Sequence, residues 1–152
     1  MYLRTAHTHE LDDIYLTGFD VWGSQLSVDE YLASCYNSGK YQNGTWYVLI
    51  EQEQIVSSLI VYQREFGLLE GSRGLGSIAT PPELRGKGYA SKLINLVKDE
   101  LFQDQNSKAL FLHSDIDKKF YRRLGFTAIE GSDCMYSTSD NAEFKGAIPA
   151  YF

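Results

Sequence analysis

The chain is short of basic charge, of cysteine, of proline and of long apolar runs, and each shortage removes a class of function. Lys and Arg number 14 against 20 Asp and Glu, a net charge of −6. Surfaces that grip nucleic-acid phosphates are basic, so no nucleic-acid partner is expected. No apolar stretch approaches the roughly 20 residues that span a bilayer, so no membrane partner is expected either. The opening Met1-Tyr2-Leu3-Arg4-Thr5 turns polar at once, unlike a secretory leader, and points to a cytoplasmic protein. Cys35 and Cys134 stand alone without metal-ligand spacing and read as buried thiols, so neither a disulfide nor a metal is expected. Of only 3 prolines two are adjacent, Pro81 and Pro82, and a residue that cannot donate to a ladder ends a strand there.

What the chain does have is a core. A hydrophobic content of 43% with 14% aromatic residues is globular. At 152 residues it fits one domain over its whole length, burying about two thirds of its unfolded surface. No repeat, linker or low-complexity segment interrupts it.

Residues 2–5 read as a first strand, and Thr8 as the N-cap of a helix. Leu11, Ile14, Tyr15, Gly18, Phe19 and Trp22 recur at helical spacing along one stripe that ends at Gly23. Ser27-Val28-Asp29-Glu30 is a capping box for a second helix carrying Tyr31, Leu32, Cys35 and Tyr36, which Asn37-Ser38-Gly39 stops. Residues 46–50 and 55–62 are β-rich runs around the polar tip Glu51-Gln52-Glu53-Gln54, a hairpin. Gly71, Gly74 and Gly76 read as a turn or bulge opening a strand over 75–80, not as a phosphate loop, because a strand follows.

Downstream, Ala90, Leu93, Ile94, Val97 and Leu101 give an amphipathic helix whose apolar face packs on the sheet. Residues 109–112 form a short buried strand. A helix then ends at Gly125, followed by strands over 126–129, 135–138 and, more weakly, 147–152. The exposed edge 147–152 invites pairing, so a homodimer is expected.

The chemistry concentrates in Ile78-Ala79-Thr80-Pro81-Pro82-Glu83-Leu84-Arg85-Gly86-Lys87-Gly88-Tyr89-Ala90. A strand ends at the proline pair, two glycines let backbone N–H groups approach a ligand, and a helix begins. Its unpaired N–H groups, the positive end of its dipole and the charges of Arg85 and Lys87 suit a pyrophosphate. It is not a Walker loop, because Gly88 stands where Ser or Thr is required. It is not a dinucleotide fingerprint, because Ser91 replaces the third glycine.

Arg85-Gly86-Lys87-Gly88-Tyr89-Ala90 resembles motif A of the GNAT acetyltransferases, Arg/Gln-x-x-Gly-x-Gly/Ala. A second segment, Phe120-Tyr121-Arg122-Arg123-Leu124-Gly125-Phe126, is similar to the family's motif B. The resemblance implies a GNAT acyl-CoA N-acyltransferase fold, a mixed α/β, mostly antiparallel sheet flanked by helices in the order β-α-α-β-β-β-α-β-α-β-β. It also implies an acetyl-CoA cosubstrate and a primary amine acceptor, on a small molecule or a peptide, attacked directly in a ternary complex. By this resemblance Arg85, Gly86, Lys87, Gly88, Tyr89 and Ala90 hold the pyrophosphate. Backbone groups of Ile78, Ala79 and Thr80 hold the pantetheine arm and polarise the thioester. Ser114 stands near where many relatives place a pantetheine-holding asparagine.

Tyr121 becomes the general acid for the departing thiolate, since a phenol with a pKa near 10 is protonated at neutral pH. The first helix pair forms one wall of the family's acceptor pocket, so Trp22, Tyr31 and Tyr36 are either its lining or core aromatics. The base is open among Glu65, Glu70, His113 and a water relay, because residues 75–78 contain no acid. The alternative readings are an acyl-CoA-binding or regulatory domain without turnover, and a domain that uses the fold alone for interaction.

Overall fold

The structure is a computed structural model and describes residues 1–149 and 151–152. Seven strands form one mixed sheet, β1 (Tyr2–Thr5), β2 (Thr45–Glu51), β3 (Gln54–Tyr62), β4 (Ser72–Ala79), β5 (Ala109–His113), β6 (Thr127–Ala128) and β7 (Cys134–Thr138), in the order β1-β2-β3-β4-β5-β7-β6. The sheet is mostly antiparallel: β1 with β2, β5 with β7 and β6 with β7 run antiparallel, whereas β4 and β5 are parallel. The expected mixed α/β architecture is therefore present. The helices are α1 (Leu11–Thr17), α2 (Phe19–Trp22), α3 (Val28–Tyr36), α4 (Gly39–Asn43), α5 (Tyr89–Asp99) and α6 (Lys118–Arg123). Among the described residues no helix is long and apolar enough to cross a membrane.

The chain divides into two compact units, residues 1–60 with 77–93 and residues 61–76 with 94–152. In the first unit β2 buries Val48 and Leu49 completely, and α1 and α3 bury Ile14, Tyr15, Tyr31 and Cys35. Arg4 clamps Glu10 through two 2.8 Å hydrogen bonds, and Glu10 also accepts the His7 N–H at 2.7 Å. That clamp explains why Thr8 is not an N-cap: it opens a short 3-10 turn, Thr8–Glu10, ahead of α1. The expected single helix over 11–22 is two, because Gly18 (φ −96°, ψ 4°) leaves the helical region.

The Ser27 capping box forms as expected, with Glu30 N–H on Ser27 Oγ at 3.2 Å and Ser27 N–H on Glu30 Oε1 at 3.1 Å. Asn37 ends α3, but Ser38 then accepts the Tyr41 N–H and starts α4, an element the sequence reading omits. The β2–β3 turn is tighter than expected: Gln52 and Glu53, with φ of 50° and 63°, carry the φ signature of a type I′ hairpin.

In the second unit Leu110, Phe111, Leu112 and Met135 are buried, with Val97 and Leu101 at 0% exposure. β4 begins at Ser72 and not at 75, with Gly74 inside it. A Cβ on Gly74 would lie 2.1 Å from Phe152 Cζ, so the missing side chain makes room for that ring. This corrects the expectation of an edge strand over 147–152: residues 147–149, 151 and 152 form no strand, Ala150 lies outside the described residues, and Phe152 is buried. The edge strands are β1 and β6. β6 is also shorter than the run 126–129, because Phe126 turns into the core.

Candidate functional site

Strand β4 delivers the chain to Thr80, and Pro81 and Pro82 stop it as expected, with a 3-10 turn over Pro82–Leu84. Gly86 and Gly88 then adopt φ of +77° and +84° immediately before α5. A Cβ on either would meet nothing within 4 Å. Backbone conformation and not crowding demands glycine here, and the space beside the loop is open. Residues 85–88 are exposed, and Lys87 has no ion-pair partner among the described residues. The N–H groups of the first turn of an 11-residue helix, α5, and the Lys87 charge are therefore available to an anion. That donor set fits a diphosphate.

Arg85, unlike Lys87, has protein partners. Its guanidinium grips Asp20 at 2.7 and 2.9 Å, and its Nε donates to the Thr80 carbonyl at 2.9 Å. Hydrogen bonding to Asp20 pushes its already high pKa further up and lowers that of Asp20. Arg85 is thus a clasp between α2 and the end of β4. Tyr89 is also engaged, its hydroxyl donating to Glu51 Oε2.

The strand before the loop carries its own constraints. Ser57 Oγ donates to the Ala79 carbonyl at 3.0 Å and lies 3.0 Å from Thr80 Oγ1. The Ala79 and Thr80 carbonyls thus each hold one protein donor already. Ser77 has φ +46° inside β4, a left-handed residue in a strand, and its Oγ lies 2.9 Å from Tyr41 Oη. Neither Ser77 nor Tyr41 is a candidate in the sequence reading. Ser38 as a second N-cap was the available signal for Tyr41; the backbone twist at Ser77 leaves none.

In the second unit Tyr121 sits on α6, which Asp117 caps by accepting the Lys119 N–H at 2.9 Å. Its ring crosses Phe120 at 70° and Phe126 at 75°. Burial first, and the Asp115 charge second, push its phenol up to about 12, so it stays protonated. Ser114 is buried, and both its N–H and its hydroxyl donate to the Asp133 carbonyl at 2.8 and 2.9 Å. Its hydroxyl hydrogen is spent, leaving only acceptor capacity. His113 Nδ1 lies 3.0 Å from the Phe152 carbonyl oxygen, whereas Glu65 and Glu70 are exposed.

The three aromatics of the first helix pair separate. Tyr31 is core, packed at 66° on Phe19. Trp22 is partly exposed. Tyr36 donates to Asp12 Oδ1 at 2.6 Å, which pushes its phenol up to about 12, and it lines a cavity.

Two of the cavities among the described residues lie in the first unit. One, of about 540 Å³, runs past Pro81–Leu84 and carries Glu10, Asp13, Glu53 and Glu83, a set of carboxylates that repels an anion. The other, of about 380 Å³, is walled by Tyr15, Tyr36, Tyr41 and Trp46. His7, His9 and Glu10 bring ligand atoms within 4.8 Å of one another, but Arg4 and the His7 N–H already occupy the Glu10 carboxylate.

The family model for acetyltransferases of the GNAT family matches residues 8–126. No curated protein matches the sequence. Among solved structures, a chimera of the spermidine N-acetyltransferase from Vibrio cholerae and hSSAT is similar with a TM-score of 0.69 at 20% identity, over 92% of this chain and 97% of that one. A GNAT family acetyltransferase from Brucella melitensis in complex with acetyl-CoA is similar at 0.67 and 18% identity, over 97% and 90%. A dodecameric spermidine N-acetyltransferase from Vibrio cholerae is similar at 0.66 and 20% identity, over 91% and 94%. At these identities the structures share a fold with this chain.

Proposed function

Because the chain belongs to the GNAT acetyltransferase family, we propose that it moves the acetyl group of acetyl-CoA to a primary amine, of a small molecule or a peptide, by direct attack in a ternary complex. The observation that carries this is the loop: Gly86 and Gly88 in left-handed conformations, open space beside them, Lys87 without an ion-pair partner among the described residues and α5 starting at once. The reading treats residues 1–152 as one functional domain. Similarity to spermidine N-acetyltransferases favours a small amine.

Acetyl-CoA, when bound, supplies an activated acyl carbon. Lys87, the Gly86–Gly88 backbone and the first turn of α5, through Tyr89 and Ala90, would hold its diphosphate. Backbone groups of Ile78, Ala79 and Thr80 would hold its arm and polarise the carbonyl, an effect worth about 2.7 to 4 kcal/mol for a single donor in other enzymes. Arg85 supports the loop from behind, and Ser114 contributes an acceptor oxygen. In the transfer a C–N bond forms and the C–S bond breaks; an amine that arrives as ammonium gives up one proton before attack and a second on acylation, and sulfur gains one. Tyr121 Oη holds the proton for sulfur, since its burial keeps it neutral at working pH. The nitrogen's protons leave through water, one restoring the Tyr121 phenol and one released to solvent, because Leu75, Gly76, Ser77 and Ile78 provide no carboxylate.

That same lack of an acid on β4 favours a second reading, an acyl-CoA-binding domain without turnover. Thermal unfolding with and without acetyl-CoA tests what the two readings share. At about 100-fold excess over Kd the ligand adds about 2.7 kcal/mol, and no upward shift would remove both readings. Thiol release with an amine panel then separates them. Self-association belongs to this reading too, given the dodecameric relative, and light scattering checks it.

A further inference from the structure

Helix α6 is six residues long and cannot hold its own orientation. A helix below about 12 to 15 residues is marginal in water, so what fixes α6 must come from outside it. Its N-terminal end is fixed nearby, by the Asp117 cap and by Lys118 Nζ, which donates to the Ser132 carbonyl at 2.8 Å. Its C-terminal end is fixed from far along the chain. Lys98 Nζ, from the last turn of α5, donates to the Leu124 carbonyl, one of the acceptors that a helix end leaves without a partner.

The same amino group lies 5.2 Å from the centre of the Phe126 ring. It also stands where a side chain on residue 125 would go: a Cβ on Gly125, whose φ is +89°, would lie 2.6 Å from Lys98 Nζ. Leu124, Gly125 and Phe126 thus close around one nitrogen. Burial there pulls the Lys98 pKa below the usual lysine value, with Asp99 opposing. A positive group at a helix C-terminus is favourable, and more so where water is partly excluded.

The cluster leads directly to Tyr121. The Tyr121 carbonyl accepts the N–H groups of Leu124 and Phe126 at 3.0 and 3.1 Å, so both residues that Lys98 holds are tied to the Tyr121 backbone. The Phe126 ring crosses the Tyr121 ring at 75°, with centres 6.3 Å apart. The Tyr121 hydroxyl hydrogen-bonds to no described residue, so ring packing and the α6 backbone set its direction.

We propose that Lys98 is a positioning residue for Tyr121: it caps the carbonyl end of α6, seats Phe126 against the phenol ring and thereby fixes the direction in which the phenol offers its proton. Lys98 acts through Tyr121 and carries no proton of the reaction itself. This role rests on the acetyl-transfer reading.

The full chain, carbon-13-labelled at tyrosine Cζ, gives a readout that needs no turnover: the Tyr121 resonance, identified by its loss in Tyr121→Phe. Acetyl transfer from acetyl-CoA to spermidine and to n-butylamine gives the second. Lys98→Met, which keeps the aliphatic stem and removes the donor, should move the resonance and lower kcat about tenfold with the acetyl-CoA KM unchanged. Lys98→Arg, which restores a donor, should return both toward the parent. In the Tyr121→Phe background Lys98→Met should cost no further kcat, because residues that act as a unit are not additive. Where Lys98→Met fails to fold, Phe126→Leu enters the same cycle with the same expectation. An unmoved resonance, an unchanged kcat or an additive loss in the double variant would overturn the role and spare the transfer reading. A parent that acetylates neither amine overturns the role together with transfer to these amines, and the resonance then reports a brace of α6 alone.

Discussion

The glycine loop of the first unit and helix α6 of the second carry two parts of one proposed reaction by opposite means. In the loop nothing lies within 4 Å of a Cβ placed on Gly86 or Gly88, and the contribution is bare backbone in left-handed conformations. In α6 the contribution is a single side chain, Tyr121, at 3% exposure, whose proton is held by its surroundings. A backbone anion site tolerates change around it but not a side chain within it. A buried phenol tolerates little change around it, yet can lose its hydroxyl and keep its shape.

The sharpest way to break this contrast is at Gly88. Gly88→Glu puts a side chain at φ +84° and a negative charge where the proposed diphosphate would lie; left-handed backbone alone costs about 1 to 2 kcal/mol. Acetyl-CoA affinity should fall by about 100-fold or more, so that the ligand no longer shifts the melting curve of the variant. A variant that binds as well as the parent would take the loop out of cofactor binding.

Tyr121→Phe comes next. Turnover should drop about tenfold or more with the acetyl-CoA KM unchanged, measured by steady-state kinetics. The same variant has a stability signature. A phenol raised from 10 to about 12 stabilises the fold below pH 10, and that contribution is lost as pH rises through 12. Chemical denaturation between pH 10 and 12 should therefore show a shallower loss for the phenylalanine variant. An equal slope and an equal kcat would make Tyr121 a packing residue only.

The smallest effect is predicted at the clasp. Asp20 is exposed, and exposed ion pairs contribute little, so Asp20→Ala should barely alter the melting temperature. Freed from its partner, Arg85 becomes a second cation beside Lys87. Calorimetry should then show acetyl-CoA binding unchanged or tighter, whereas weaker binding would mean that the Asp20 clasp positions the loop.

How much of this was legible differs between the same two regions. The loop was readable residue by residue, because a proline pair, two glycines and an amphipathic run each act through local backbone rules. The capping box at Ser27 was legible for the same reason. The partners of Arg85 were not. Asp20 lies 65 positions away, and no local pattern distinguishes an arginine that meets a phosphate from one that meets a carboxylate.

The aromatic cavity was hidden for a related reason. Tyr15, Tyr36, Tyr41 and Trp46 come from four separate elements, and periodicity marks each as apolar without saying which rings cross. The tail misled for a different one: residues 147–152 carry strand-forming side chains, yet Phe152 fills the space that Gly74 leaves. Sequence alone determined the stop at the proline pair, the turn at Gly86 and Gly88 and the cap at Ser27, since those choices are settled within a few residues. Tertiary structure decided which charges are spent, which rings enclose space and what the tail covers, because each depends on groups brought together from far along the chain.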